Sequence, residues 1–270
     1  MRLSISNIAW DTALDEQVLQ LLSRHQIDLI DVAPTKYFAD IPATTNADIK
    51  RVRTWWSERG VGFAGMQSLL FGTRGLNVFG ASAVQQTMLE HLRHVCAIGD
   101  GLDARCLVFG SPRNRDCSGL SAEAARQVAL DFFARLGDIA VQHGVVVCLE
   151  PNPVEYGCNF LTSTREAGEF VRELAHPGIG LQLDTGAATM AGESAADMIT
   201  QFAQEIAHVH LSEPRLAVLG SGATDHAEFA TALRARRPEL NLTIEMLVPE
   251  GNQVEAAIEA ALSAAIAHYR

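Results

Sequence analysis

Short apolar runs recur along the chain, and each is followed by residues whose apolar positions return with helical spacing. The runs are rich in β-branched residues, so they predict strands. The eight predicted strands are LSISNIAW from Leu3, IDLIDVAP from Ile27, VGFAGMQS from Val61, RCLVFGSP from Arg105, VVVCLEPN from Val145, GLQLDTG from Gly180, IAHVHLSE from Ile206 and LTIEMLVP from Leu242. Several runs are almost continuously apolar, which is typical of strands buried on both faces in a parallel sheet.

The segments between the runs predict eight helices, one after each strand. The Ala-rich tail predicts that the last helix extends from Asn252 to about Ala267, with Asn252 and Glu255 as its capping pair. Eight strand–helix units in 270 residues average about 34 residues each, close to what an α/β (β/α)₈ TIM barrel needs. We find no linker rich in Pro, Gly or Ser, so we expect a single TIM barrel domain over residues 1–270.

A doubly wound open sheet is the alternative architecture. In that fold a Gly-rich phosphate loop often follows the first strand, whereas here the first run leads into NIAWDT. The barrel is therefore favoured. In a barrel the chemistry belongs at the carboxyl ends of the strands.

The composition narrows the function classes. The formal net charge of −11 disfavours nucleic acid as a partner, because an acidic chain is repelled by a phosphate backbone. The amino terminus has no basic start followed by a long apolar core, and no window approaches a membrane span, so neither a signal peptide nor a membrane partner is expected. The five cysteines form no CxxC motif, which indicates reduced thiols in a cytoplasmic protein.

Acidic and imidazole residues stand at the ends of four consecutive predicted strands: Glu150, Asp184, His210 and Glu245. Each has a structural alternative, such as an exposed loop position for Glu150, a helix N-cap for Asp184 or a core histidine for His210. In a barrel, however, all four positions face one centre, so together they predict a metal site. Three carboxylates and one imidazole suit Mn²⁺, Mg²⁺ or Co²⁺ and would also admit Zn²⁺.

Further polar and aromatic residues near the strand ends are candidates for binding a substrate. Arg113, immediately past the fourth strand, and Arg215 could hold a phosphate or carboxylate. Glu155 could line the pocket or cap the following loop, and Trp10 could form an apolar wall for a sugar ring or be packed in the core. Lys36 and Arg115 also follow strand ends, where a solvated loop charge is at least as good an explanation.

The segments that carry these residues resemble the xylose isomerase-like TIM barrels, the superfamily of the sugar phosphate isomerases and epimerases. They are IDLIDVAPT, LVFGSPRNR, CLEPNPVEYGCNFLTS, LQLDTG, HVHLSEP and TIEM, in the order and at the strand positions of that group. The group includes sugar isomerases, ketose 3-epimerases, inosose dehydratases and apurinic endonucleases, and its members are often dimers or tetramers. The resemblance implies that Glu150, Asp184, His210 and Glu245 bind a divalent metal ion. It also implies that the catalytic pair Glu150 and Glu245 exchanges a proton from opposite faces of the substrate.

Two departures from the group concern the substrate side of the site. The family often has a histidine three residues after the aspartate of strand six, whereas this chain has Ala187. Glu213 and Arg215 stand close to a Glu and an Arg that contact substrate in ketose epimerases, but the spacing is a residue short.

The function expected from these residues is a metal-dependent isomerase or epimerase. It would act on a small carbohydrate, a sugar, sugar phosphate or cyclitol, by abstracting the proton next to a carbonyl, with the metal stabilising the enediolate. A non-catalytic sugar-binding barrel that keeps the metal site is one alternative. An apurinic-endonuclease-like hydrolase is less favoured. Such a site uses extra histidines, which are missing after Asp184 and from the strand ends VAPT and GMQS. A homo-oligomer is compatible with the resemblance.

Overall fold

A computed structural model describes residues 1–249 and 253–270. Within these residues eight parallel strands pair in chain order and close on themselves, with β1 hydrogen-bonded to both β2 and β8. The strands are β1 Arg2–Ser6, β2 Leu29–Val32, β3 Gly62–Met66, β4 Cys106–Phe109, β5 Val146–Leu149, β6 Ile179–Asp184, β7 Ile206–Leu211 and β8 Asn241–Ile244. The predicted (β/α)₈ TIM barrel is therefore confirmed, and the open sheet is excluded.

The helices differ from the prediction in number, since the described residues contain nine α-helices and not eight. They are α1 Asp15–Arg24, α2 Asn46–Ser57, α3 Ser82–Leu102, α4 Ala122–Gln142, α5 Thr164–Leu174, α6 Thr185–Met190, α7 Ala195–Gln201, α8 His226–Arg236 and α9 Val254–Tyr269. The connection from β6 to β7 holds two short helices, because Gly192 takes a left-handed φ of +65° after α6 and Ser194 then caps α7.

The last predicted helix corresponds to α9, which begins at Val254 and ends at Tyr269. Its predicted start and capping residue, Asn252, lies outside the described residues. Within the ranges that the structure describes, we find no helix that is both long and apolar enough to cross a membrane.

The hydrophobic core lies between the barrel and the surrounding helices. Ile5, Ile30 and Leu183 are completely buried there. A row of edge-to-face phenylalanine rings, with centroids 5.1–5.8 Å apart, fills the space outside β4 and β5, and it comprises Phe79, Phe109, Phe132, Phe133, Phe160 and Phe170. Burying each large apolar side chain stabilises the fold by about 1.5–3 kcal/mol.

The inside of the barrel is polar, in contrast to the branched apolar side chains that usually fill such barrels. Asp31 on β2 and His208 on β7 are both buried and bonded to each other, although these strands are not neighbours in the barrel. The bond therefore crosses the barrel interior. Buried polar groups are costly unless they are paired, so this arrangement points to a role for the interior beyond packing.

Candidate metal centre

The structure brings Glu150, Asp184, His210 and Glu245 together at the carboxyl ends of β5 to β8. Each side chain offers a ligand atom, and the four atoms lie within 4.8 Å of one another. His210 Nδ1 lies 3.1 Å from Glu150 Oε1 and 3.3 Å from Glu245 Oε2. His210 is completely buried, whereas the side chains of Glu150 and Glu245 keep 13% and 10% exposure. The cluster is thus open to ligands on its carboxylate side only.

Three carboxylates so close together cannot all carry unscreened charge in a buried place. Burial, together with the neighbouring Glu245 and Glu150, raises the pKa of Asp184 to about 8. Burial alone would also raise the pKa of Glu245, but His210, Gln67 and Asp184 together outweigh it and lower that pKa. A divalent cation would relieve this repulsion, and three oxygens with one imidazole nitrogen are a suitable donor set for it. The residues present therefore fit a divalent cation.

Asp184 combines two roles that the sequence offered as alternatives. It is the N-cap of α6, where its Oδ1 accepts a hydrogen bond of 2.6 Å from Ala187 N. Both carboxylate oxygens also lie 2.8 Å from Ser212 Oγ, whose hydroxyl donates to them. These donors hold the carboxylate in one orientation while it still belongs to the cluster.

Asp31 is a residue of the site that sequence reasoning missed. Its Oδ2 accepts a 2.7 Å hydrogen bond from His208 Nε2 and lies 3.7 Å from His210 Nε2. His210 Nε2 is buried without a hydrogen-bond partner within the described part of the chain. Asp31 is therefore the carboxylate nearest to the far side of the ring whose Nδ1 faces the cluster. A carboxylate in this place favours a proton on Nε2 and so leaves Nδ1 available to the cluster. The signal in the sequence was a single acid inside the apolar strand LIDV.

The Asp31–His208 pair is held by further buried groups. Thr243 donates a hydrogen bond of 3.0 Å to Asp31 Oδ1, so the hydroxyl of Ser4, 2.6 Å away, donates to Thr243. Burial would lower the pKa of His208, but Asp31 raises it to about 9. Burial would likewise raise the pKa of Asp31, but the two histidines hold it well below its usual range. Gly65 leaves the room for this pair, since a Cβ there would lie 2.9 Å from Asp31 Oδ2.

Gln67 is a second residue that sequence reasoning missed. It follows β3, and its Nε2 donates a 2.5 Å hydrogen bond to Glu245 Oε1. This contact leaves Glu245 Oε2 facing His210. A glutamine after a strand carries no distinctive signal by itself, so only the closed barrel reveals its role.

Gly110, directly after β4, makes room for Glu150. A Cβ at this position would lie 1.8 Å from Glu150 Oε2. We expect Gly110→Ala to displace the Glu150 carboxylate and to weaken divalent metal binding by ~10-fold or more, measured by calorimetry. Circular dichroism should remain that of the wild type, since the clash is with the end of a flexible side chain.

The matched control is Gly62→Ala at the start of β3, where the added Cβ would lie 3.3 Å from the Leu29 side chain and 3.9 Å from Asp28 O. Equal metal affinity in Gly110→Ala and Gly62→Ala would show that the position of Glu150 does not matter for the cation.

Metal binding should depend on pH because the ligands must lose their protons. The pKa of about 8 for Asp184 means that the carboxyl holds a proton at neutral pH in the metal-free protein. The pKa of His210 is also raised well above its usual value: burial lowers it, but Glu245 and the other carboxylates outweigh that effect. We expect affinity to rise about tenfold per pH unit or more as the pH increases towards 8, with protons released on binding. Calorimetry in buffers of different ionisation enthalpy measures both quantities, and pH-independent affinity without proton release would contradict the arrangement.

Glu150, Asp184 and Glu245 form the floor of a cavity of about 960 Å³, and the buried His210 lies behind them. The walls of the cavity include the predicted substrate residues Arg113 and Arg215, together with Tyr156 and Arg74, which were not predicted. A cavity of this size is at the upper end of the range for small-molecule sites.

Trp10 and Glu155 are placed differently from the prediction, because neither is among the described residues that line the cavity. Trp10 is 3% exposed, and its indole N–H donates a 2.8 Å hydrogen bond to Asp15 Oδ1, so it packs in the core. Trp10 directly follows the short 3₁₀ helix Asn7–Ala9, which comes after β1. Glu155 is exposed on the 3₁₀ helix Val154–Tyr156, whose last residue, Tyr156, lines the cavity instead.

Glu213, noted for its likeness to a substrate-binding position, is occupied with holding the loop after β7. Its carboxylate accepts hydrogen bonds from Gly220 N and Thr224 N, both at 3.0 Å, and lies 3.1 Å from His226 Nε2. Burial would raise its pKa, but these donors outweigh it and lower that pKa. Lys36 is similarly engaged, since its ammonium donates to the backbone carbonyls of Asn7 and Trp10.

A ketose 3-epimerase from Arthrobacter globiformis is 31% identical to the chain over 99 residues. This match covers 37% of the chain and 34% of that enzyme, so the chain spans about a third of the length of the curated relative it matches.

Solved structures match over nearly the whole chain. A D-psicose 3-epimerase solved in the presence of D-fructose has a TM-score of 0.84 at 17% identity, covering 100% of this chain and 99% of that one. An L-ribulose 3-epimerase has a TM-score of 0.82 at 20% identity, covering 99% and 94%. An apo 3-keto-D-glucoside 4-epimerase from E. coli has a TM-score of 0.80 at 15% identity, covering 97% and 98%. At these identities the likeness establishes the shared fold.

The family described as xylose isomerase-like TIM barrel matches residues 19–267, which is nearly the full length of the chain. Its barrel is the one observed here, with eight parallel strands closed in chain order. The chain therefore belongs to the xylose isomerase-like TIM barrel family.

Proposed function

We propose that this protein is a divalent-metal-dependent isomerase or epimerase of a small carbohydrate, acting by proton transfer at the carbon next to a carbonyl. The observation that carries the proposal is the meeting of Glu150, Asp184, His210 and Glu245, with ligand atoms within 4.8 Å of one another, in a cluster whose three carboxylates line an open cavity. The membership of the family and the ketose 3-epimerase relative support the same reaction class.

Glu150, Asp184, His210 and Glu245 are the residues that would hold the cation, with Mn²⁺, Mg²⁺ or Co²⁺ preferred by the oxygen-rich donor set and Zn²⁺ admitted. When bound, the cation would act as a Lewis acid on the carbonyl and adjacent hydroxyl of the sugar, which acidifies the C–H between them. His210 belongs to this set through Nδ1, which faces the carboxylates, while Asp31 is the carboxylate nearest to the other side of the ring.

Glu150 and Glu245 are the proton-transfer groups of the proposal. They follow β5 and β8, which are separated in the barrel by β6 and β7, so their carboxylates reach the cavity floor from different sides. One carboxylate takes the proton from the reacting carbon, and the other gives a proton to its opposite face, which inverts the centre. Gln67 orients Glu245 for this task, while Gly110 leaves the space that the Glu150 carboxylate occupies.

Ala187 lines the cavity at the position where family members often carry a histidine. The alternative function is a barrel that binds a sugar without catalysing its conversion. The experiment must distinguish this alternative from catalysis. Beside the cluster, the described residues that line the cavity include no histidine, so the extra histidine ligands of an apurinic-endonuclease-like site are not found there.

The experiment is a panel of ketoses and ketose phosphates incubated in D₂O with metal-free protein, with and without added Mn²⁺. We expect NMR to show solvent deuterium entering next to the carbonyl of at least one ketose, only when Mn²⁺ is present. Glu155→Gln is the matched control, since this exposed glutamate lies outside the cavity and its loss should leave exchange unchanged. Metal-dependent sugar binding without any exchange across the panel would contradict catalysis and favour the binding barrel.

A further inference from the structure

The arginines of this chain fall into two groups. Among the described residues, most guanidinium groups donate to a carboxylate, an amide or a backbone carbonyl, as Arg2 does to Asp28 and Arg172 to Glu205. Such partners are found for Arg2, Arg24, Arg51, Arg53, Arg59, Arg93, Arg105, Arg126, Arg135, Arg165, Arg172, Arg234, Arg237 and Arg270.

The guanidinium groups without such a partner in residues 1–249 and 253–270 are concentrated at the cavity. Arg74, Arg113 and Arg215 line it, Arg115 lies two residues beyond Arg113, and only Arg236 belongs to an outer helix, α8. Arg74, Arg113 and Arg215 are exposed, so water solvates them in the free protein, but in a chain with 32 acidic residues their gathering around one opening favours an anionic ligand there.

Arg74 and Arg113 are carried by two loops that are joined to each other. Asn114 Nδ2 donates a 2.8 Å hydrogen bond to Leu76 O, and Asn114 O accepts one of 2.9 Å from Val78 N. The segment after β3 and the 3₁₀ helix Pro112–Arg115 after β4 therefore form one piece of the cavity wall. This connection keeps the two arginines on the same side of the opening.

Arg115 adds a buried positive charge to this side. It is completely buried, and none of its three guanidinium nitrogens has a hydrogen-bond partner in the described part of the chain. A buried charge without a counter-ion is costly. Arg115 belongs to the same 3₁₀ helix as Arg113, so its charge adds to the positive charge of this segment, which favours an anion bound at Arg113.

Arg215 supports the same conclusion from the loop after β7. Its backbone takes a left-handed φ of +61°, and Leu216 follows with +54°. Its N–H donates a 2.7 Å hydrogen bond to the hydroxyl of Tyr156, another residue of the cavity wall. Strain of this kind is kept where surrounding contacts require one side-chain position, and it concentrates at ligand sites.

The cavity is therefore acidic at its floor, with three carboxylates, and basic along its wall. We propose that the substrate is an anionic sugar whose phosphate or carboxylate group, at the end remote from the reacting carbon, binds to Arg74 and Arg113, with Arg215 contributing. The orientation of the sugar in this inference rests on the proposed function. Because Glu150 and Glu245 transfer the proton, the reacting end of the sugar must lie next to them. An anion at the floor would instead meet the carboxylates there.

The test measures binding to the Mn²⁺-loaded protein by calorimetry with three ligands: a ketohexose, its 6-phosphate and a ketohexuronate. We expect at least one anionic ligand to bind ~10-fold or more tightly than the neutral ketose, because charge-assisted contacts to arginine are strong. The preference should shrink at high salt. If the 6-phosphate binds more tightly than the ketohexuronate, the anionic group of the substrate is a phosphate; the opposite order identifies a carboxylate.

The double variant Arg74→Gln/Arg113→Gln should lose the preference, because its affinity for the anionic ligand should fall ~10-fold or more, and by much more than its affinity for the neutral ketose. Arg236→Gln on α8 is the control and should keep the preference. Equal affinity for neutral and anionic ligands in the wild type, or an equal loss for both in the double variant, would overturn the inference. Deuterium exchange into the neutral ketose without any anion preference would refute the anion site and leave the proposed function standing. Selective anion binding without deuterium exchange in any ligand would support the anion site and refute the proposed function.

Discussion

Replacing Glu150 or Glu245 by glutamine is expected to lower turnover at saturating metal by at least ~10²-fold, which is the effect of losing a general base. Glutamine keeps the size of the side chain and one ligating oxygen but cannot accept the proton. Metal affinity should also fall, though by much less than turnover. Gln67 donates to Glu245 Oε1, so the glutamine variant of Glu245 can keep that contact with its own amide oxygen.

Asp184→Asn separates metal binding from proton transfer. Asp184 is held by Ala187 N and Ser212 Oγ and takes no proton from substrate in this account. Its variant should lose activity mainly through weaker metal binding, and added Mn²⁺ should recover part of it. Steady-state kinetics over a Mn²⁺ titration measures the difference. If the variants of Glu150, Glu245 and Asp184 all respond equally to metal, the assignment of two bases is wrong.

Asp31→Asn is expected to lower the free energy of unfolding of the metal-free protein by about 3 kcal/mol or more, the usual cost of breaking a buried ion pair. In a protein of this size the melting temperature should fall by about 5–10 °C. Affinity for the divalent cation should drop about 10–100-fold, since His210 loses the carboxylate behind its ring. Calorimetric unfolding and metal titration measure the two effects, and an unchanged metal affinity would contradict the positioning role.

The stability effect of Asp31→Asn should depend on pH in a defined direction. His208 has its pKa raised to about 9 by Asp31, so its contribution is fully present below the unfolded value near 6.5 and is lost as the pH rises through about 9. Asp31 has its pKa lowered, so its contribution is present above about 4 and is lost in acid. The difference from the wild type should therefore be largest between about pH 4 and 6.5 and should shrink above 9. Asp28→Asn is the matched control, because its ion pair with Arg2 is exposed and contributes little.

The barrel and its four converging residues could be predicted because both follow from simple periodicities. The apolar runs define eight strands, and a residue at the carboxyl end of each strand must face the common centre. For Asp184 the sequence offered an N-cap and a metal ligand as alternatives. The structure shows that Asp184 caps α6 and also belongs to the cluster, which the sequence alone did not indicate.

The rest of the site could not be predicted because it depends on contacts between distant parts of the chain. Asp31 and His208 are separated by 177 positions and meet only when the barrel closes. Trp10 turns into the core because of the short helix after β1, a local geometry that its sequence does not specify. Arg74 lies in a long segment after β3 whose position depends on bonds to Asn114.

The central claim is that Glu150, Asp184, His210 and Glu245 hold one divalent cation, and anomalous diffraction from crystals grown with Mn²⁺ tests it most directly. The account predicts one strong anomalous peak per chain, about 2.0–2.6 Å from a carboxylate oxygen of each acid and from His210 Nδ1. Crystals that show no anomalous peak among these four side chains under saturating Mn²⁺, or a peak ligated by other residues, would contradict it.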